Sequence, residues 1–132
     1  MPDPIATVGI LDDEPEMRKA VRRLLTSRGF QVREFASGTE FLSDAERTSL
    51  SCLLLDLHMP EVNGFEVLEA LRSSHASMPV IIFTAHDSPG TAERLSALGA
   101  CAYLKKPVDR DVLMEAIQEA IQQTTISSTC RP

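Results

Sequence analysis

Four groups of residues in this chain have the types and positions to do chemistry together. Asp12 and Asp13 follow directly on an apolar run from Ile5 to Leu11, and Asp56 lies within the run Cys52–Leu57. Thr84 closes a third run, Val80–Thr84, while Lys105 and Lys106 follow Ala102–Leu104 and precede Pro107. Three carboxylates brought to one point repel one another, and burial raises their pKa values. A hard divalent cation removes that conflict. Mg2+ in particular takes one or two carboxylates, retained waters and phosphate oxygens in preference to an all-protein cage. A hydroxyl and an ammonium beside the same point suit an incoming phosphoryl group, one as a hydrogen-bond donor and the other as a point charge.

Each of these residues has an ordinary reading when taken alone. An Asp-Asp pair after a strand favours the N-terminus of the next helix. A lysine before a proline is a solvated lysine. Tyr103 alone is partly buried packing. What makes chemistry of them is convergence, and that depends on the elements.

The apolar positions Met17, Ala20, Val21, Leu24 and Leu25 mark one face of a helix over Pro15–Arg28, with Pro15 in its first turn and Gly29 as its C-terminal cap. Gln31–Phe35 reads as a short second strand and residues 38–45 as a short helix. Cys52–Leu57 reads as a buried central strand, followed by a helix over Gly64–Ser73 with Phe65, Leu68 and Leu71 at helical spacing. Val80–Thr84 is a fourth strand. Ser88 and Pro89 read as the N-cap and first-turn proline of a helix reaching Leu98 and ended by Gly99. Ala102–Leu104 is a fifth strand, and Leu113, Ala116, Ile117, Ala120 and Ile121 form a last helical stripe. Strands separated by helix-length segments pair in parallel through right-handed crossovers. Five such units make a doubly wound α/β sheet, whose sites lie at the carboxyl ends of the strands. All four groups fall at such ends.

This arrangement resembles the response-regulator receiver family of two-component signalling. The resemblance rests on LDDEP at 11–15, LLLDLHMPEVNG at 53–64, FTA at 83–85 and YLKKP at 103–107, in order and at matching spacing over residues 5 to 123. It is strongest to receivers joined to LuxR-type helix-turn-helix domains, the LuxR/FixJ type. It implies a flavodoxin-like (βα)5 fold with strand order 2-1-3-4-5, filling residues 1–123, with 124–132 as a polar tail or the start of a linker. It implies Asp56 as the phosphoacceptor. Asp12, Asp13, Asp56 and the backbone carbonyl of His58 become the ligands of Mg2+ or Mn2+. Thr84 becomes the switch hydroxyl, Lys106 rather than Lys105 the phosphate-pairing lysine, and Tyr103 the aromatic switch residue. The implied donor is a sensor histidine kinase or a phosphotransfer protein. The implied output is a change on the face made by the fourth helix, fifth strand and fifth helix, acting through a homodimer, a partner or an output domain, with transcription as its end. His58 and His86 stand two residues past Asp56 and Thr84, at positions that vary in the family. They are either exposed loop residues or tuners of the phosphoryl lifetime.

The totals narrow the alternatives. The chain has 132 residues, enough for one domain with its own core. Its formal net charge of −6, from 19 acids and 13 bases, argues against nucleic-acid binding by this chain alone. No apolar run approaches the roughly 18 residues of a membrane span, and the Met-Pro-Asp-Pro start lacks the parts of a signal peptide. A cytoplasmic protein with no membrane partner is expected. Cys52, Cys101 and Cys130 show no metal-ligand spacing, and Cys52 and Cys101 are expected as buried thiols. A flavodoxin-type cofactor binder would need a Ser/Thr/Gly-rich phosphate loop where Asp12, Asp13 and Glu14 stand. A phosphatase of the haloacid dehalogenase type would need a second Asp where His58 stands. A degenerate receiver would lack one of the key residues, and all are present. The sequence therefore reads as a signalling switch, its own chemistry limited to taking on and losing a phosphoryl group.

Overall fold

The computed structural model describes residues 6–44, 49–74, 78–85 and 88–130, with side chains as far as residue 122. The elements alternate along the chain: β1 (Thr7–Leu11), α1 (Pro15–Ser27), β2 (Gln31–Phe35), α2 (Gly38–Ser43), β3 (Cys52–Leu55), α3 (Gly64–Ser73), β4 (Val80–Thr84), α4 (Thr91–Ala97), β5 (Ala102–Lys105) and α5 (Arg110–Cys130). All strand pairs are parallel, and the sheet order is β2-β1-β3-β4-β5. The chain leaves β1 toward β2 on one side and, after α2, returns to β3 on the other, so β1 and β3 flank the switch in strand order.

The three inner strands are apolar on both faces, as a sheet covered by helices on both sides requires. Cys52 and Leu54 of β3 join Val8, Ile10, Ile81 and Phe83 in a core under α1 and α5. Leu53 and Leu55 point the other way, into a core with Phe41 of α2, Val67, Leu68 and Leu71 of α3 and Leu95 of α4. This alternation follows from the two-residue period of a strand.

The glycine stops at α1 and α4 form as expected. Gly29 takes φ +92°, donates to the Thr26 carbonyl and lets Phe30 donate to Leu25. Gly99, at φ +100°, ends α4 with the same pair of bonds, to Ser96 and from Ala100 to Leu95. This pattern satisfies carbonyls the helix leaves unpaired, and only glycine adopts that φ without cost.

Two expectations need correction. α4 starts at Thr91, not at Pro89, because Gly90 takes φ +81° and turns Ser88–Thr91 into a separate turn before the helix begins. Cys52 is buried, but Cys101 is exposed, because it precedes β5 at the sheet margin. The backbone of α5 is helical as far as Cys130. Residues 110–130 hold no glycine or proline, so nothing in the local chemistry stops the helix. Among the described residues no helix is long and apolar enough to cross a membrane.

Candidate functional site

The acidic pair is set by the way β1 hands over to α1. Asp12 is completely buried and is held at four atoms. Its amide donates to the Phe35 carbonyl (3.2 Å), which extends the β1–β2 ladder by one residue. Its Oδ1 accepts from the Glu14 amide (2.9 Å), and its Oδ2 accepts from Lys106 Nζ (2.8 Å). Its carbonyl accepts from Arg18 Nη1 (2.6 Å). Asp13, the next residue, is exposed.

Asp56 directly follows β3. Its amide donates to the Leu11 carbonyl (3.0 Å), so its Cα is fixed beside the end of β1. Asp56 is 4% exposed, and its carboxylate accepts from the His58 amide. The loop that follows is folded back hard. Glu61 takes a left-handed φ of 67°, uncommon for a residue with a side chain. Gly64 donates to the Leu57 carbonyl, and a Cβ there would lie 2.8 Å from the Asp56 carbonyl oxygen and 2.8 Å from Leu57 Cα. α3 is then locked by a capping box. Asn63 Oδ1 accepts from the Glu66 amide (3.0 Å), and Glu66 Oε1 accepts from the Asn63 amide (3.1 Å). The glycine thus lets a capped helix abut Asp56.

Asp12, Asp13 and Asp56 each bring a carboxylate oxygen within 4.8 Å of the others. Lys106 Nζ lies 2.8 Å from Asp12, 3.4 Å from Glu14 and 3.8 Å from Asp56, and 4.7 Å above the ring centre of Phe83. Burial, the Asp12 charge and, less strongly, the Asp13 charge push the Asp56 carboxyl from 3.8 up to about 6, against the opposing pull of Lys106 and the His58 amide. Burial works to lower the Lys106 pKa, but the Asp12 hydrogen bond and the charges of Asp12, Asp56 and Glu14 outweigh it, and the pKa rises. A single lysine does not neutralise this much carboxylate. Beside the acids opens a cavity of about 210 Å³, lined by Asp13, Glu14, Asp56, His58, Ala85 and Lys106. Crowded hard oxygens with room for retained waters fit Mg2+, and Mn2+ by the same donors.

Thr84 is completely buried at the end of β4, and its carbonyl accepts from the Lys106 amide (2.8 Å), which carries the chain from β5 into the site. Lys105 is exposed and is the last residue of β5, so the cavity takes Lys106 and not Lys105. Tyr103 is half-buried in β5 and packs on the core under α2, α3 and α4. His58 is exposed at the cavity wall. His86 lies outside the described residues.

Glu14, Phe83 and Arg18 were missed by the sequence reading. Glu14 and Phe83 neighbour recognised site residues. Arg18 carried a signal of its own: a helix N-terminus disfavours cations, so an arginine one turn into α1 needs a fixed acceptor.

A doubly wound parallel sheet with an acidic, lysine-bridged cavity at its switch point defines a class of α/β module. Comparison with known proteins gives the family. Residues 8–118 match the sequence profile of the response regulator receiver domain. The chain is 37% identical over 115 residues to the transcriptional regulatory protein FixJ of Rhizobium meliloti, covering 86% of this chain and 56% of FixJ. It is 36% identical over 115 residues to the transcriptional regulatory protein GlrR of Escherichia coli, covering 87% of this chain and 26% of GlrR. The crystal structure of a CheY-like response regulator receiver domain protein from Methanospirillum hungatei superposes with a TM-score of 0.86 at 26% identity, over 92% of this chain and 98% of that one. The chain belongs to the response regulator receiver family, and it spans only a quarter to about half of the curated regulators it matches.

Proposed function

We propose that this chain takes a phosphoryl group onto Asp56 and thereby switches an output. The observation that carries the reading is the placing of Asp56: a buried carboxylate 3.8 Å from Lys106, open to a cavity and crowded by two further acids. A carboxylate oxygen of Asp56 attacks phosphorus in line, forming a P–O bond as the P–N bond to a donor histidine breaks. The electron pair of that bond leaves with the imidazole. Lys106 then has a phosphoryl oxygen to pair with beside the oxygens of Asp12 and Asp56. Asp12, Asp13, Asp56 and the His58 carbonyl would hold Mg2+ or Mn2+, which supplies charge neutralisation for the phosphoryl oxygens.

The donor is a sensor histidine kinase or a phosphotransfer protein. A mostly apolar cleft of about 480 Å³ between α1 and the start of α5, walled by Met17, Leu24, Val108 and Leu113, reaches Lys106 and supports docking there. The switch is drawn through Thr84 to Tyr103, changing the face of α4, β5 and α5 and with it self-association or partner binding. The names of FixJ and GlrR support transcriptional control as the output, through a longer regulator in which residues 124–132 lead toward a further domain.

The test is labelling with acetyl phosphate or with a phosphorylated kinase. Wild type is expected to take up label only with a divalent cation, and Asp56→Asn to fall to background. Equal labelling of Asp56→Asn, mapped to another residue, overturns the assignment.

A further inference from the structure

We infer that Arg18, held by Glu34, is a positioning residue for the metal-binding acids, acting on the peptide that joins Asp12 to Asp13. The inference rests on the metal-binding reading given above. Arg18 is 16% exposed, and a cation so nearly buried needs fixed partners. It has two. Nη1 reaches the Asp12 carbonyl at 2.6 Å, and Nε lies 3.5 Å from Glu34 Oε1 on β2. Arg22, one turn along α1, takes the other oxygen of Glu34 at 3.3 Å. Glu34 thus lies in ion-pair range of both arginines, and the Arg18 guanidinium donates to one carbonyl.

That carbonyl belongs to the peptide unit that carries the Asp13 amide. Asp12 has its carboxylate tied separately, by Lys106 and the Glu14 amide. Asp13 has no such ties: among the described residues its side chain makes no hydrogen bond or ion pair. What holds Asp13 in place is therefore its backbone, which fixes the point from which its carboxylate reaches the site, and the peptide before it is held by Arg18. Without that bond the peptide plane can tilt, and the three oxygens now within 4.8 Å of one another lose their spacing. Groups that hold metal ligands commonly matter to the metal nearly as much as the ligands do.

Arg18 also places a positive charge near a cation site, and charge acts in the opposite sense to positioning. Substitution separates the two. Arg18→Lys keeps a charge and a donor, whereas Arg18→Met keeps bulk and loses both. Titration calorimetry of MgCl2 into the unphosphorylated full chain is expected to show Arg18→Met binding about tenfold more weakly than wild type. Arg18→Lys should recover most of the affinity, and Glu34→Gln should lose less than Arg18→Met. In metal-free protein the Asp13 amide resonance should move in Arg18→Met and return toward its wild-type position in Arg18→Lys, which a general loss of stability would not produce. Arg18→Met binding Mg2+ as tightly as wild type, or more tightly, overturns the inference, as does an unmoved Asp13 amide. If Arg18→Met does not fold, Glu34→Gln decides, and an unchanged affinity there overturns it. A wild-type chain that takes up no Mg2+ overturns the metal reading itself and this inference with it.

Discussion

The two halves of the strand rim are built differently. At β1 and β3 the residues are locked: Asp12 is bonded at four atoms, Asp56 is pinned to Leu11, and α3 begins in a capping box pressed against the Asp56 carbonyl. At β5 and α4 the structure is looser. All four β5 residues are exposed or half-buried, and α4 is seven residues long with Leu95 its one buried residue. Its N-cap is Gly90, with no side chain to accept a bond. Among the described residues, Arg94 stacks 4.0 Å above the Phe65 ring and Arg72 donates to the Ala97 carbonyl at 2.6 Å, tying α3 to α4. Local opening is cheapest where few apolar contacts are buried. On the proposed function the locked half holds the reacting group and the looser half carries the output, and a single strand, β4, lies between them.

The locked half stores electrostatic strain, so its largest response should be to charge removal. Asp56 has a folded-state pKa of about 6 against 3.8 in the unfolded chain. The native protein then binds more protons than the unfolded one between these values, and its stability falls as pH rises from about 4 to about 6. The deficit is fully present above that range and corresponds to about 3 kcal/mol at 1.36 kcal/mol per pKa unit. Asp56→Asn is expected to stabilise the metal-free protein at pH 7.5 by an amount of that order and to gain little at pH 4. Urea unfolding at both pH values checks this, and equal gains at both would remove charge as the cause.

Two glycines sharpen the contrast next. At Gly64 a new Cβ would meet backbone at 2.8 Å, so Gly64→Ala should cost about 1–3 kcal/mol and weaken Mg2+ uptake, because Asp56 must shift. At Gly90 nothing lies within 4 Å, so Gly90→Ala should cost only the left-handed backbone, about 1–2 kcal/mol, and leave Mg2+ affinity alone. Equal effects on the metal would erase the distinction between the halves.

Arg94→Ala tests the tie on the loose side. It should cost about 0.5–1 kcal/mol and raise hydrogen exchange in α4 without altering Mg2+ affinity. Unchanged exchange in α4 would show that the Phe65 stack restrains nothing. The smallest effect is assigned to His58, exposed at the cavity wall. His58→Ala should change the decay rate of the phosphorylated protein by a few-fold at saturating Mg2+, by altering shielding of phosphorus or the placing of a water. Identical decay would leave it a loop residue.

Much of this molecule was legible from residue order because the relevant physics is local. Apolar periodicity separates strand from helix within a few residues, and the order of alternation already implies a parallel sheet. Gly29 and Gly99 marked helix ends because only a residue without Cβ takes that φ cheaply. Asp12, Asp13, Asp56, Thr84 and Lys106 were found together because a parallel sheet sends every strand end to one rim. The start of α4 was misplaced because Ser88-Pro89 is a good helix opening by local rules, while Gly90 turned the chain once more before it could form. Cys101 was misjudged because an apolar neighbourhood in sequence does not say which side of a sheet margin a residue meets.

The sequence by itself determined the family, the element order and the acids and lysine at the strand ends, though not Glu14, since each is written in short-range pattern and motif. Tertiary structure alone decided how those residues are held. Lys106 meets Asp12 from 94 positions away, Glu34 reaches Arg18 from a neighbouring strand, and Gly64 is small because the Asp56 carbonyl occupies the space where a side chain would go. Contacts of this kind depend on distances across the sheet, and no periodicity along a single chain encodes a distance between segments that are far apart in it.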